Sequence, residues 1–135
     1  MAYWLAIGPS ENWELGLKHG VWGIGGRYLP SWDRVVNGDT VIFYVMRPVK
    51  GIIGYGTMKG KSKETKPFWP QEMKDKKMLW PLHLHVNKGL TLPRNKWESH
   101  CLPMPPLSEG IVIQRAFQPL KDKLGKQLVE QLGAK

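Results

Sequence analysis

Four side chains suited to acid–base, nucleophilic or metal-binding chemistry lie near one another in the sequence: His83 and His85, and the pair His100–Cys101. Imidazoles two residues apart on a strand project to one face. Zinc sites use four ligands at recognisable spacings, and neither 83-HLH-85 nor 100-HC-101 fits one. Cys101 needs a partnering base to act as a nucleophile, and a lone cysteine is more commonly a small apolar side chain. Asp33 and Asp39 read as a helix-start residue and a turn residue rather than as an acid–base pair. Two glycine-rich strings also fail as nucleotide sites. A phosphate loop ending in 60-GKS-62 needs glycine at 55, where Tyr55 stands, and a dinucleotide fingerprint on Gly23 and Gly25 needs glycine at 28, where Tyr28 stands. No catalytic constellation emerges, and neither a metal nor a cofactor is expected.

Charge and aromatic content point elsewhere. Twenty Lys and Arg stand against eleven Asp and Glu, for a net charge of +9, and the chain holds seven tryptophans. Positive charge interleaved with aromatic rings is what a nucleic-acid binder uses to hold phosphates and stack bases. Trp4 and Trp13 sit in apolar patterns and read as core, and Trp32 reads as an anchor on a helix face. Trp22, before 23-GIGG-26, and Trp69, between Pro67 and Pro70, fall in segments that read as irregular. Exposed loop aromatics would be stacking platforms; folded back over the core they would be packing.

The elements that must position these residues follow from periodicity and punctuation. Residues 3–8 read as a strand and 11–19 as a helix capped by Ser10 and stopped by Gly20. Pro30 starts a short helix over 30–36, and 40–46 with 51–58 read as a hairpin. The basic stretch 59–77 reads as a long loop. A period-two pattern resumes at 79–86, 111-IVIQ-114 reads as the last strand, and a helix over 119–132 aligns Leu120, Leu124, Leu128 and Leu132 as a core stripe. The length suits one domain over 1–135. No basic, apolar leader and no run of about 20 apolar residues is present, so a soluble, cytoplasmic chain with no membrane partner is expected.

The order 3-YWLAIG-8, 10-SENWE-14, 21-VWG-23, 38-GDTVIFYV-45 and 67-PFWP-70 resembles the EVE domain of the PUA-like superfamily and, more distantly, its YTH relatives, over roughly residues 3 to 86. The resemblance implies an α+β fold, a small β-barrel or curved mixed sheet flanked by short helices, with a pocket for one modified nucleobase. YTH domains read N6-methyladenine in RNA. EVE-like domains are associated with modified DNA bases, including as specificity modules of McrB-type restriction GTPases. Carried over, Trp22 and Trp69 would be cage walls, with Trp80 or Leu79 as a third; Asn12 would bond the base edge, and the backbone N–H beside Gly23 would hold it from another side.

The expected function is therefore a non-enzymatic module that flips a methylated base into an aromatic cage, with N6-methyladenine in DNA ahead of 5-methylcytosine. RNA binding, as a reader of modified tRNA, rRNA or mRNA, is the alternative. A small enzyme or non-nucleic-acid protein built on His83, His85, His100 and Cys101 is the second. Phosphate contacts are expected from Arg27, Arg47, Lys50, Lys61, Lys63, Lys66, Arg94 and Lys96. The end at 133-GAK-135, close behind a helix, is where a linker to a C-terminal AAA+ GTPase domain could begin.

Overall fold

The computed structural model describes residues 1–134, apart from the side chain of Leu107. In chain order it holds β1 (Tyr3–Gly8), α1 (Ser10–His19), β2 (Val21–Ile24), a 3-10 turn (Gly26–Tyr28) running into α2 (Leu29–Arg34), β3 (Thr40–Val45) and β4 (Gly51–Lys63). There follow α3 (Pro70–Asp75), β5 (Leu82–Thr91), α4 (Trp97–His100), β6 (Phe117–Leu120) and α5 (Asp122–Gly133). The six strands form one mixed sheet in the order β2-β5-β4-β3-β1-β6. β1 and β3 are parallel, and the other pairs are antiparallel.

Central strands covered on both faces need continuous apolar sequence, and 41-VIFYV-45 supplies it. Alternation then sorts the side chains. Trp4 and Ala6 of β1 join a core with Trp13, Trp22, Phe43 and Trp69, while Leu5 and Ile7 face Ile42, Leu124, Leu128 and Leu132 on the other side. The α5 stripe is core, as its spacing predicts, although the helix begins at Asp122 because 117–120 pairs with β1. Asp39, only 3% exposed, accepts the Ala2 and Val36 N–H groups and the Trp4 indole N–H, tying the start of the chain to the start of β3.

The expected hairpin is β3–β4, but two other expectations are corrected. The basic stretch is not one loop: β4 continues to Lys63 with Thr57, Lys59, Lys61 and Lys63 exposed on alternate positions, and α3 follows. Residues 111–114 are not a strand. Gln118, buried within β6, accepts the Val112 N–H and donates to the Val112 and Arg115 carbonyls, which fixes that segment as a turn.

The sheet curls until its ends approach each other. The Trp22 ring of the end strand β2 lies over Gly8 at the end of β1, where a Cβ would collide with it. The Tyr28 hydroxyl, just past β2, accepts the Ala116 N–H just before β6. Among the described residues no ladder joins the two ends between these contacts, leaving a seam.

Candidate functional site

A cavity of about 300 Å³ occupies the seam. Ile7, Gly8 and Ala116 form one side; Trp22, Gly23 and Ile24 form the other; Asn12 of α1, Arg27 and Tyr28 of the 3-10 turn, and Leu79–Trp80 complete it. Six residues singled out from the sequence, Asn12, Trp22, Gly23, Arg27, Leu79 and Trp80, thus meet around one space.

Each wall has a physical cause. Trp22 is not in an irregular segment, as its neighbouring glycines suggest, but in β2, and it is 4% exposed. Its indole stacks on that of Trp13 with centroids 3.6 Å apart and planes at 7°. It therefore already has a protein partner on one side. The bond from the Val86 N–H to the Gly20 carbonyl sets the phase of the β2–β5 ladder. Antiparallel pairs alternate, so Trp22 and Ile24 bond to β5, and the N–H and carbonyl of Gly23 turn toward the seam. Asn12 is 3% exposed, and its side-chain carbonyl oxygen is buried without a partner. A buried acceptor left unpaired costs about 1–3 kcal/mol.

Trp69 does not line the cavity. It is fully buried, and its indole runs directly behind Gly23, where any side chain would strike it. Its Nε1–H donates to His83 Nε2 at 3.2 Å. The physical reason is Glu72, which the sequence reading passed over. Its carboxylate, 0% exposed, accepts the N–H groups of Phe68 and Trp69 on Oε1 and those of Leu79 and Trp80 on Oε2, at 2.8–3.2 Å. This clamp folds Trp69 inward and holds Leu79 and Trp80 at the cavity. Burial pushes the Glu72 carboxyl up, but the four backbone donors together outweigh it and hold it below the ordinary 4.5. The signal available in the sequence was Pro70 with Glu72 two residues on, a helix-start pattern.

His83 is 4% exposed, and burial lowers its pKa below 6.5, so it is the neutral acceptor that Trp69 requires. His85 meets Ser62 Oγ at 2.8 Å. His100 is exposed on α4, and the Cys101 thiol donates to the Val49 carbonyl at 3.8 Å. His83 and His85 line one hollow of about 210 Å³ with His19 and Glu64, which His100 and Cys101 do not join, and among the described residues no three His, Cys, Asp or Glu side chains are grouped to hold a metal.

The phosphate candidates divide. Arg27 stands at the cavity, and its guanidinium lies 5.2 Å from the Tyr28 ring centroid. Arg47 and Lys50 are exposed in the turn joining β3 to β4, with no side-chain partner among the described residues. Lys61 is otherwise engaged: its ammonium donates to the Trp32, Asp33 and Val35 carbonyls and closes the end of α2. Lys63 lies over the Trp32 ring, and Lys66 and Lys96 are exposed. Arg94 pairs with Glu14 at 2.8 Å and covers Trp97.

No family model matches the chain. UPF0310 proteins of Pyrococcus horikoshii and Pyrococcus abyssi are each 40% identical over 45 residues, so the match takes in about a third of this chain and a third of each relative. Among solved structures, the Mmi1 YTH domain in complex with RNA superposes with a TM-score of 0.65 at 12% identity, covering 98% of this chain and 78% of that one. The Toxoplasma CPSF4 YTH domain in complex with a 7-mer m6A-modified RNA gives 0.64 at 14%, covering 99% and 91%. Rpa0253 from Rhodopseudomonas palustris gives 0.56 at 17%, covering 99% and 94%. With its curled six-stranded sheet and flanking helices, the chain has the α+β, PUA-like fold of the YTH domains.

Proposed function

We propose that the cavity receives one nucleobase carrying a methylated exocyclic amine, extruded from a single-stranded stretch of RNA, and that the domain is a binding module. The observation that carries this reading is the convergence of Asn12, Trp22, Gly23, Leu79 and Trp80 on one space, with the Asn12 acceptor buried and unpartnered. The edge of N6-methyladenine presents a ring acceptor next to one remaining N–H. A primary amide can meet both at once. RNA takes precedence over DNA because two of the similar folds are YTH domains complexed with RNA; charge and aromatic content do not separate the two.

The energetics favour a single strand. Extruding a base from a duplex costs a few kcal/mol, and stacking on an aromatic wall returns about 1–3 kcal/mol. A single strand avoids most of that cost. Burying the methyl group contributes only about 0.8 kcal/mol, a factor of about four. Further discrimination comes from the dry cavity, where an unmethylated amine loses a water partner that the wall does not replace.

The test is a titration of RNA and DNA oligonucleotides, single- and double-stranded, with and without one N6-methyladenine. The expected result is at least tenfold preference for the methylated single-stranded RNA. Equal affinity for all would remove the base-binding reading, and preference for the methylated DNA would restore the DNA assignment.

A further inference from the structure

Beside the base cavity lies a second hollow of about 330 Å³, walled by Tyr44, Met46 and Ile113 with Arg47 and Lys50 at its rim. The two hollows share Ile7 and Pro9. Met46 and Ile113 are 48% and 45% exposed, so large apolar side chains face solvent between two unpaired cations. An apolar surface framed by positive charge suits a flat ring attached to an anionic backbone.

The shared wall has its own chemistry. Pro9 is the cap of α1, and no side chain caps that end. The first helical bonds run from the Asn12 and Trp13 N–H groups to the Pro9 carbonyl, so the Ser10 and Glu11 N–H groups precede the ladder. A helix start favours an anion. Buried without partners in this turn are Ser10 Oγ and, within the base cavity, the side-chain oxygen of Asn12. Glu11, the acidic residue of the turn, is exposed.

We propose that this hollow holds the nucleobase adjoining the extruded one, so that the domain grips a dinucleotide step whose linking phosphate crosses Pro9 at the start of α1 between the two hollows. The inference rests on the cavity being a base site. Arg47 and Lys50 then flank the strand rather than attract it at a distance.

The test uses RNA five-mers with a central N6-methyladenosine and an abasic residue on its 5′ or its 3′ side. Removing the neighbouring base on one side should weaken binding about tenfold, the value of one stacked base. The double variant M46S/I113S should bind the intact five-mer about tenfold more weakly and become insensitive to that abasic residue. Its affinity for free N6-methyladenosine should match that of the unaltered protein. Less than a twofold effect on both sides, or a variant that keeps the sensitivity, would overturn the inference while leaving the base site intact. Five-mers bound equally with and without the methyl group, and equally by Trp80→Ala, would remove the base site and this inference with it.

Discussion

Asp39 and Glu72 are both buried carboxylates that accept several hydrogen bonds, yet they organise different things. Asp39 joins the chain start, the Trp4 indole and the entry to β3, all parts of the sheet. Glu72 joins two non-adjacent segments, 68–69 and 79–80, that have no ladder to hold them. Its bonds replace regular structure where a cavity requires irregular backbone. The same chemistry secures the fold in one place and the candidate site in the other.

Neutralising each carboxylate is the strongest test of that division. Asp39→Asn and Glu72→Gln should each cost about 2–4 kcal/mol in denaturant unfolding, because each turns accepted bonds into donor–donor conflicts. Only Glu72→Gln should also impair binding of methylated RNA by the folded fraction, by tenfold or more. Equal impairment in both would show that the two regions are not separable.

Next in size is the contrast between Trp80 and Trp69. Trp80→Ala removes a cavity wall and should weaken binding about 10- to 100-fold with little loss of stability. Trp69→Phe leaves His83 Nε2 without its donor and should cost about 1–3 kcal/mol of stability, with a smaller effect on affinity. The opposite pattern would return Trp69 to the cage.

Acid should act in two stages. The pKa of His83 is lowered on folding, so below 6.5 the unfolded chain takes up a proton that the folded chain refuses, and stability falls as pH falls. Glu72 and Asp39 are also lowered, so their contribution is present above their ordinary values of 4.5 and 3.8 and is lost at lower pH. Unfolding free energy measured from pH 8 to 3 should decline first below 6.5 and then more steeply below 4.5. Glu72→Gln should remove much of the second decline and leave the first. The smallest effect concerns salt: with Arg27, Arg47 and Lys50 as phosphate contacts on a single strand, log K against log salt should have a slope of roughly −2. A slope near zero would exclude them.

Much of the fold was legible because β1 and β3 are short unbroken apolar runs and, with α1, are bounded by Gly, Pro and Asn. The outer half of β4 was not, since its lysines read as a solvated loop when they are the outward-facing alternate positions of a strand. β6 was missed because it contains Pro119, while the more strand-like 111–114 is held as a turn by a side chain seven residues after Ile111. At the site, Asn12, Trp22 and Gly23 could be placed together through the resemblance carried by 10-SENWE-14 and 21-VWG-23. Trp69 could not, because its inward turn depends also on His83, fourteen residues away, and on the Glu72 bonds to Leu79 and Trp80, which the helix-start pattern at Pro70 and Glu72 does not reveal.

The curled sheet has two end strands, β2 and β6, and their outward edges differ. Pro119 denies β6 one backbone donor. The free backbone of Gly23 lies in a slot walled by Gly8 and Ala116. A strand carries side chains on both faces, whereas a planar ring can present its edge alone. On the reading proposed above, the unfinished closure of the barrel sorts polymers by thickness, favouring a chain whose units are flat.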